Sequence, residues 1–372
     1  MNNRERVKAI LNYQPYDRLP VAHFGFWAET LEKWVAEGHL KPEEIAGVAD
    51  GTPAETAIAR KLGFDFSWGA TYPIRPNLLA PPFEKKTLET LADGMQKVIN
   101  EDGVIVLEKP GVRSIPPEID HLLKDRRSWE EHFLPRLQFD DAGVDEAVLR
   151  QMAEDPGREE PLGLYCLSLF GQIRNWMGIE GISYLYADDE DLYDEIIDTV
   201  GDLIYKTAAK VLSLYSGFDF GHFWEDICFK NGPLVAPAVF EAKVGPHYRK
   251  ITRLLNSYGI NIVSVDCDGM IDALIPTWIN NGVNTMFPIE YGTWEASIEP
   301  WRKKYGPGLR GVGGMNKHVL AADYSAVDRE IERLKPLVEL GGFIPCPDHR
   351  IAPDAKWENV QYYCERMRKV FG

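Results

Sequence analysis

Residues 260–290 read INIVSVDCDGMIDALIPTWINNGVNTMFPIE, and the fold class follows from them. A run rich in Val and Ile ends in the cluster Asp266, Cys267, Asp268, Gly269. An amphipathic helix follows, and a second apolar run ends in Glu290. That is strand, helix, strand. Consecutive parallel strands joined by a helix set their C-terminal tips side by side, and ligands in parallel α/β architectures bind at those tips. Asp266, Cys267, Asp268 and Glu290 are therefore expected on one rim.

The rhythm repeats on both sides of this stretch. PLGLYCLSLF, FDFGHFWEDI, LRGVGG and GGFIPC read as further strands separated by helical stretches, and LPVAHFGF and FDFSW add two near the N-terminus. The count is eight strands, near residues 20, 65, 164, 221, 263, 285, 311 and 343. Eight strands alternating with helices predict an α/β fold of the (β/α)8 TIM-barrel class, with the whole of residues 1–372 as a single barrel domain. A helix over residues 3–12 extends the N-terminus, and residues of about 70–160 form an insertion between strands two and three, over the barrel mouth. Within it, residues 83–108 alternate and turn at ADG and EDG, which predicts a small β-meander. An open doubly wound sheet is the main alternative, but no Gly-rich fingerprint follows the first strand.

Composition narrows the function classes. The 372 residues carry 41 basic and 57 acidic side chains, net charge −16, with no basic block, which argues against nucleic acid or an anionic membrane as partner. The N-terminal MNNRERVKAILNYQPYDR has no secretory h-region, and no run reaches the roughly 18 apolar residues of a spanning helix. A cytoplasmic protein acting on a small molecule is expected, with homo-oligomerisation left open. Five widely spaced cysteines, Cys166, Cys228, Cys267, Cys346 and Cys364, read as free thiols rather than a disulfide framework. No serine-hydrolase elbow, HExxH helix or Walker loop is present.

In a barrel, polar groups at the strand tips are the site candidates. They are His23 and Trp27, Ser168 and Arg174, His222, Glu225 and Asp226, Cys267 with its flanking acids, Glu290, Lys317, and Cys346, Asp348 and His349. Cys267, Glu290 and Cys346 sit at the ends of strands five, six and eight, so two thiolates and a carboxylate are placed to converge on a metal such as zinc. The plainer reading stands beside it: a lone cysteine at a strand end is most often a small buried hydrophobe. His222 alternates with Phe220 and Trp224, facing either the lumen or an aromatic cluster. Glu225 and Asp226 are adjacent, so at most one faces the site. His23 reads first as a lining residue, and His349, in CPDHRIAP, either braces its loop or lines the site.

GHFWEDICFKNGPLVAP, VDCDGMIDALIPTWINNGVNTMFPIE, GGMNK and GGFIPCPDHRIAPDAKWENVQYYCERM resemble the uroporphyrinogen decarboxylase-like superfamily, most firmly from residue 161 onward. That superfamily is built on the (β/α)8 barrel. It divides into cofactor-free tetrapyrrole decarboxylases and methyltransferases that exchange a methyl group with a corrinoid protein and usually carry zinc. The decarboxylases are marked by an arginine-rich clamp after the first strand, whereas this chain has HFGFWAET there and no Lys or Arg between Arg18 and Lys33. The methyltransferase branch resembles it more closely. There the zinc ligands come as His-x-Cys, an acid and a later Cys, and Cys267, Glu290 and Cys346 fall at the Cys, acid and Cys positions. The His position is Val265, so the resemblance leaves one ligand to Asp266, His222, a water or the substrate.

The implied activity is methyl transfer between a small methoxy, methylamine or thiol compound and a corrinoid (cobalamin-type) cofactor on a partner protein, assisted by zinc. Three anionic ligands favour help to a departing oxygen or nitrogen over capture of a further thiolate. Glu225 or Asp226 would then be the general acid or base, with Trp27, Phe223 and Trp224 walling the substrate. Two alternatives remain: a metal-free decarboxylase or lyase using Asp226, Glu225 and His23 as proton donors, and a non-catalytic ligand-binding barrel.

Overall fold

In the computed structural model, which describes residues 1–110, 116–154 and 157–372, the apolar runs form short strands whose neighbours are nearly all parallel. They are β1 (Ala22–His23), β2 (Phe66–Ser67), β3 (Thr71–Pro73), β4 (Gly163–Tyr165), β5 (Phe220–Trp224), β6 (Val263–Asp266), β7 (Thr285–Ile289), β8 (Arg310–Met315) and β9 (Phe343–Pro347). Strands β3 to β9 make one parallel sheet of seven in sequence order. Strand β1 pairs in parallel with β2, and the chain passes from β2 through Gly69 and Ala70 into β3. Beyond β9, Ile351 bridges Phe26 in parallel: Trp27 N donates to Ile351 O at 3.2 Å and Ile351 N to Gly25 O at 3.1 Å.

Strand periodicity sorts side chains between two faces. Along β5, Phe220 stacks on Trp68 at 4.2 Å and His222 meets Ser264, while Phe223 turns the other way, onto Tyr248 of the helix Gly245–Ser257, at 4.9 Å. Along β6, Ser264 and Asp266 share one face and Val263 and Val265 the other. The inner face is aromatic: Phe287 packs edge-on against Phe24 at 4.5 Å and lies 6.2 Å from Trp68. Each such ring, removed from water, contributes about 1.5–3 kcal/mol.

The insertion between β3 and β4 holds a four-stranded antiparallel sheet over Lys86–Thr90, Gln96–Ile99, Val104–Glu108 and Glu118–His121, with a small core of Val98, Val104 and Val106. Residues 111–115 and 155–156 of the insertion lie outside the described residues. The sheet rests on the helix Gly171–Asp188. There Gly178, at φ 72°, breaks the helical path, and a Cβ on it would meet the His121 ring at 2.6 Å. Gln172 Nε2 donates to Asp102 Oδ1 at 3.2 Å, tying the insertion to the first turn of that helix. Among the described residues no helix is long and apolar enough to cross a membrane, and the five cysteines are free and buried.

Candidate functional site

A cleft of about 540 Å³ opens at the C-terminal tips of the parallel strands. Asp226 after β5, Asp266 ending β6 and Asp268 two residues on present one oxygen each within 4.8 Å of one another. Among the described residues this is the one set of three or more His, Cys, Asp or Glu side chains so converged. The local backbone explains it. Asp226 takes φ 45°, a left-handed conformation that Asp tolerates better than most residues, and this turns its carboxylate to accept from Asp268 N at 3.0 Å. Arg174 Nη2 donates to the Asp226 carbonyl at 2.8 Å, holding the same turn from the other side.

Crowding these acids changes their protonation. Burial first, then the charge on Asp268, pushes Asp226 up to about 6. Burial followed by Asp226 and Asp268 raises Asp266 well above the usual carboxylate range, with Arg350 opposing. Burial pushes His222 down to about 4, so it is neutral at pH 7, and its Nδ1 pairs with Ser264 Oγ at 2.7 Å. His349 Nε2 lies 3.3 Å from Asp268 Oδ2, and its ring stacks on Trp27 at 5.5 Å. Arg350 donates to Asp50 through both Nη1 and Nη2, at 2.7 and 2.5 Å, so its charge is already matched.

Asp226, Asp266, His222, Trp27, Trp224 and His349 thus line one cleft, and Arg174 supports it. The remaining expected residues lie in its walls. Glu225, fully buried, points away from Asp226 and accepts from Ser168 Oγ at 3.0 Å, from the backbone N–H groups of Leu169, Phe170 and Gly171 at 3.0, 3.0 and 2.7 Å, and from Tyr248 Oη. It satisfies the unpaired donors at the start of the helix Gly171–Asp188. Contact is so close that a Cβ on Gly171 would fall 1.8 Å from the Glu225 carbonyl oxygen, which requires glycine there. Phe223 is covered by Tyr248. His23 is buried between Phe26 and Phe64, and its Nδ1 accepts from Gly25 N at 3.0 Å. Burial pushes it down to about 3.

The expected zinc ligands Cys267, Glu290 and Cys346 are not brought together as one set. Cys267 follows Asp266 on the strand and so takes the opposite face, buried beside Cys228, with Sγ 3.6 Å from Asp268 O. Cys346 is buried next to Tyr363 of the helix Trp357–Phe371, its thiol donating to Pro347 O at 3.3 Å, and burial drives its pKa upward. Glu290 accepts from Gly269 N at 2.5 Å and Thr293 Oγ1 at 3.2 Å. Such a geometry does not fit a thiolate-bound zinc. The set that does converge is all oxygen, a donor type suited to a hard cation.

Asp50, Tyr165 and Gln172 also line the cleft and were not expected there. Tyr165 ends β4, a tip position that could have singled it out. Asp50 lies in the turn ADG, which looks like any surface turn, and Gln172 lies on a helix; only tertiary packing places them.

No protein-family profile matches the sequence, and no characterised relative matches it significantly. Among solved structures, a methyltransferase from Methanosarcina mazei aligns over 100% of this chain and 99% of its own, with TM-score 0.63 at 16% identity. A protein from Listeria monocytogenes, described as a vitamin-B12-independent methionine synthase, aligns over 96% of this chain and 98% of its own, with TM-score 0.44 at 12% identity. The first likeness speaks to the fold.

Proposed function

We propose that the chain is a methyltransferase that takes a methyl group from a small methoxy, methylamine or thiol compound, with a corrinoid on a partner protein as acceptor. On this reading residues 1–372 form one closed (β/α)8 barrel, in which the β1–β2 pair and the Phe26–Ile351 bridge join the two ends of the seven-stranded sheet. The motif resemblance supplies the reaction class. The observation that carries the chemistry is the trio Asp226, Asp266 and Asp268 at the strand tips, in a cleft walled by Trp27 and Trp224.

A corrinoid, when bound, supplies the nucleophile that accepts the methyl group. The work of this chain is on the donor. When a methyl–oxygen bond breaks, the electron pair stays on oxygen, and a proton must reach it. Asp226, held near 6 by burial and Asp268, retains a protonated fraction at neutral pH and stands at the cleft wall, so it acts as the general acid. Neutral His222 orients the donor, and the indoles exclude water. Zinc has no part in this scheme. A polyanionic, decarboxylase-type substrate is disfavoured because Arg350 is matched by Asp50 and Arg174 is turned to a backbone carbonyl.

The test incubates the purified protein with cob(I)alamin and a panel of methoxyarenes, methylamines and methyl thioethers, following methylcobalamin by its absorbance. Transfer from at least one donor, slowed about 10²–10⁴-fold in Asp226→Asn, is expected. Failure with every donor, together with CO₂ release from carboxylated compounds, would replace this reading with a lyase.

A further inference from the structure

We infer that the donor is a methylated ammonium cation, a tertiary or quaternary amine headgroup seated between the three carboxylates and the aromatic walls of the cleft. This rests on the methyl-transfer reading and names the substrate class of the same site.

Charge comes first. Four carboxylates line the cleft, those of Asp50, Asp226, Asp266 and Asp268, against one guanidinium, Arg350, which is spent on Asp50. Among the described residues, Asp268 alone of the remaining three acids has a basic side chain within ion-pair range, His349 at 3.3 Å. Arg174 directs Nη2 to the Asp226 carbonyl. Without a cation the crowding is met by holding protons on Asp226 and Asp266, with His349 beside Asp268; a bound cation favours the charged carboxylates and releases those protons.

The cleft also holds an unmet acceptor. Asp268 Oδ1 is buried and receives no hydrogen bond, and His349 Nδ1 is likewise buried without a partner. Both belong to side chains that line the cleft. Buried polar atoms are nearly always satisfied, so an orphan acceptor in a cleft marks where a ligand belongs.

The walls suit a cation as well. Phe24, Trp27, Tyr165 and Trp224 border the same space, and the Trp224 indole lies close enough to the Asp226 carboxyl to favour its charged form, which sets an aromatic ring beside the acid trio. Aromatic faces attract ammonium groups, most strongly where water is excluded, but contribute nothing as ligands to a metal ion. Arg350 already lies 5.3 Å over the Phe24 ring, so one wall carries a cation in the free protein. At about 540 Å³ the cleft holds a small organic molecule, whereas a bare divalent ion needs far less room. In the transfer the N–CH₃ bond breaks, the methyl passes without its bonding electrons to the reduced corrinoid acceptor, and nitrogen keeps the pair. A neutral amine then leaves, having lost the charge that held it; for this donor Asp226 serves as a carboxylate facing the cation rather than as an acid, and Asp226→Asn slows transfer by weakening that hold.

The experiment is calorimetric titration of the full-length protein with tetramethylammonium, with tert-butanol as a neutral control of similar size and with magnesium chloride. Saturable binding of tetramethylammonium, at least about tenfold tighter than tert-butanol, is expected, weakened about tenfold by Asp266→Asn and likewise by Trp224→Leu. Trp27→Leu serves where either variant fails to fold. Equal affinity for cation and alcohol overturns the inference, as does magnesium binding that expels tetramethylammonium, which would give the trio to a divalent ion. Cation binding without methyl transfer to cob(I)alamin would leave the ammonium site standing and sink both the transferase and the ammonium's role as methyl donor. Transfer from methoxyarenes with no cation binding would do the reverse.

Discussion

Glu225 and Asp226 are neighbours in the chain and nearly identical in chemistry, yet they belong to different parts of the molecule. Glu225 faces the helix layer, where five donors hold it at the start of the helix Gly171–Asp188. Asp226 faces the cleft, where its nearest charged partners are other acids. The same division separates Cys267 from Asp266 and Asp268 on the adjoining strand. Residue type shows that a side chain is able to do chemistry; strand parity decides whether it meets a substrate.

The largest expected effect tests the structural half of that contrast. Glu225→Leu strips the acceptor from five donors in a buried site and should cost about 3–5 kcal/mol in urea unfolding, or abolish folding, because the donors are left buried and unmatched. A loss below about 1 kcal/mol would mean that the wall does not depend on this anchor.

Next comes acid. His23 is pushed down to about 3 by burial, from an ordinary value near 6.5. Between those two pH values the unfolded chain binds a proton that the folded chain refuses, so stability rises with pH there and is lost on acidification. Going from pH 7 to 4 should remove about 3 kcal/mol through this group, and His23→Gln should flatten that slope in unfolding curves measured across the range. An unchanged slope would show that the imidazole is not held neutral.

A smaller effect is expected for the thiols. Cys267→Ser with Cys346→Ala should cost about 1–3 kcal/mol, while leaving tetramethylammonium affinity and the metal content of the untagged protein unaltered. About one zinc per chain that disappears in the double variant would break the contrast and restore the thiolate site. Smallest in stability is Asp226→Asn. It relieves repulsion among like charges and should shift unfolding by less than about 1 kcal/mol, in either direction, while methyl transfer falls steeply. Together the pair Glu225→Leu and Asp226→Asn should separate stability from activity at adjacent residues.

Much of the architecture was legible in the sequence because burial writes itself as apolar runs of strand length. The strands near residues 164, 221, 263, 285, 311 and 343 all lie in the parallel sheet, and the alternating stretch after residue 83 is part of an antiparallel sheet, which extends further, to His121. Tip positions also pointed to the cleft residues Asp226, Asp266, His222, Trp27, Trp224 and His349. What failed to converge was the trio Cys267, Glu290 and Cys346. Their position at strand ends says how high on the sheet they stand, but each face is set by register: Cys267 is buried beside Cys228, and Cys346 beside Tyr363 of the helix Trp357–Phe371.

Alone, the sequence determined which segments are strands and helices, that their connections are long enough for parallel pairing, and that acids and aromatics crowd the strand tips. These follow from local periodicity and composition, which act within a few residues. Tertiary packing alone brings Asp226, Asp266 and Asp268 into one space, sets Asp50 against Arg350 from 300 positions away, and gives Glu225 to the fold. Those outcomes depend on side-chain direction and on contacts between distant segments, and a linear pattern carries neither.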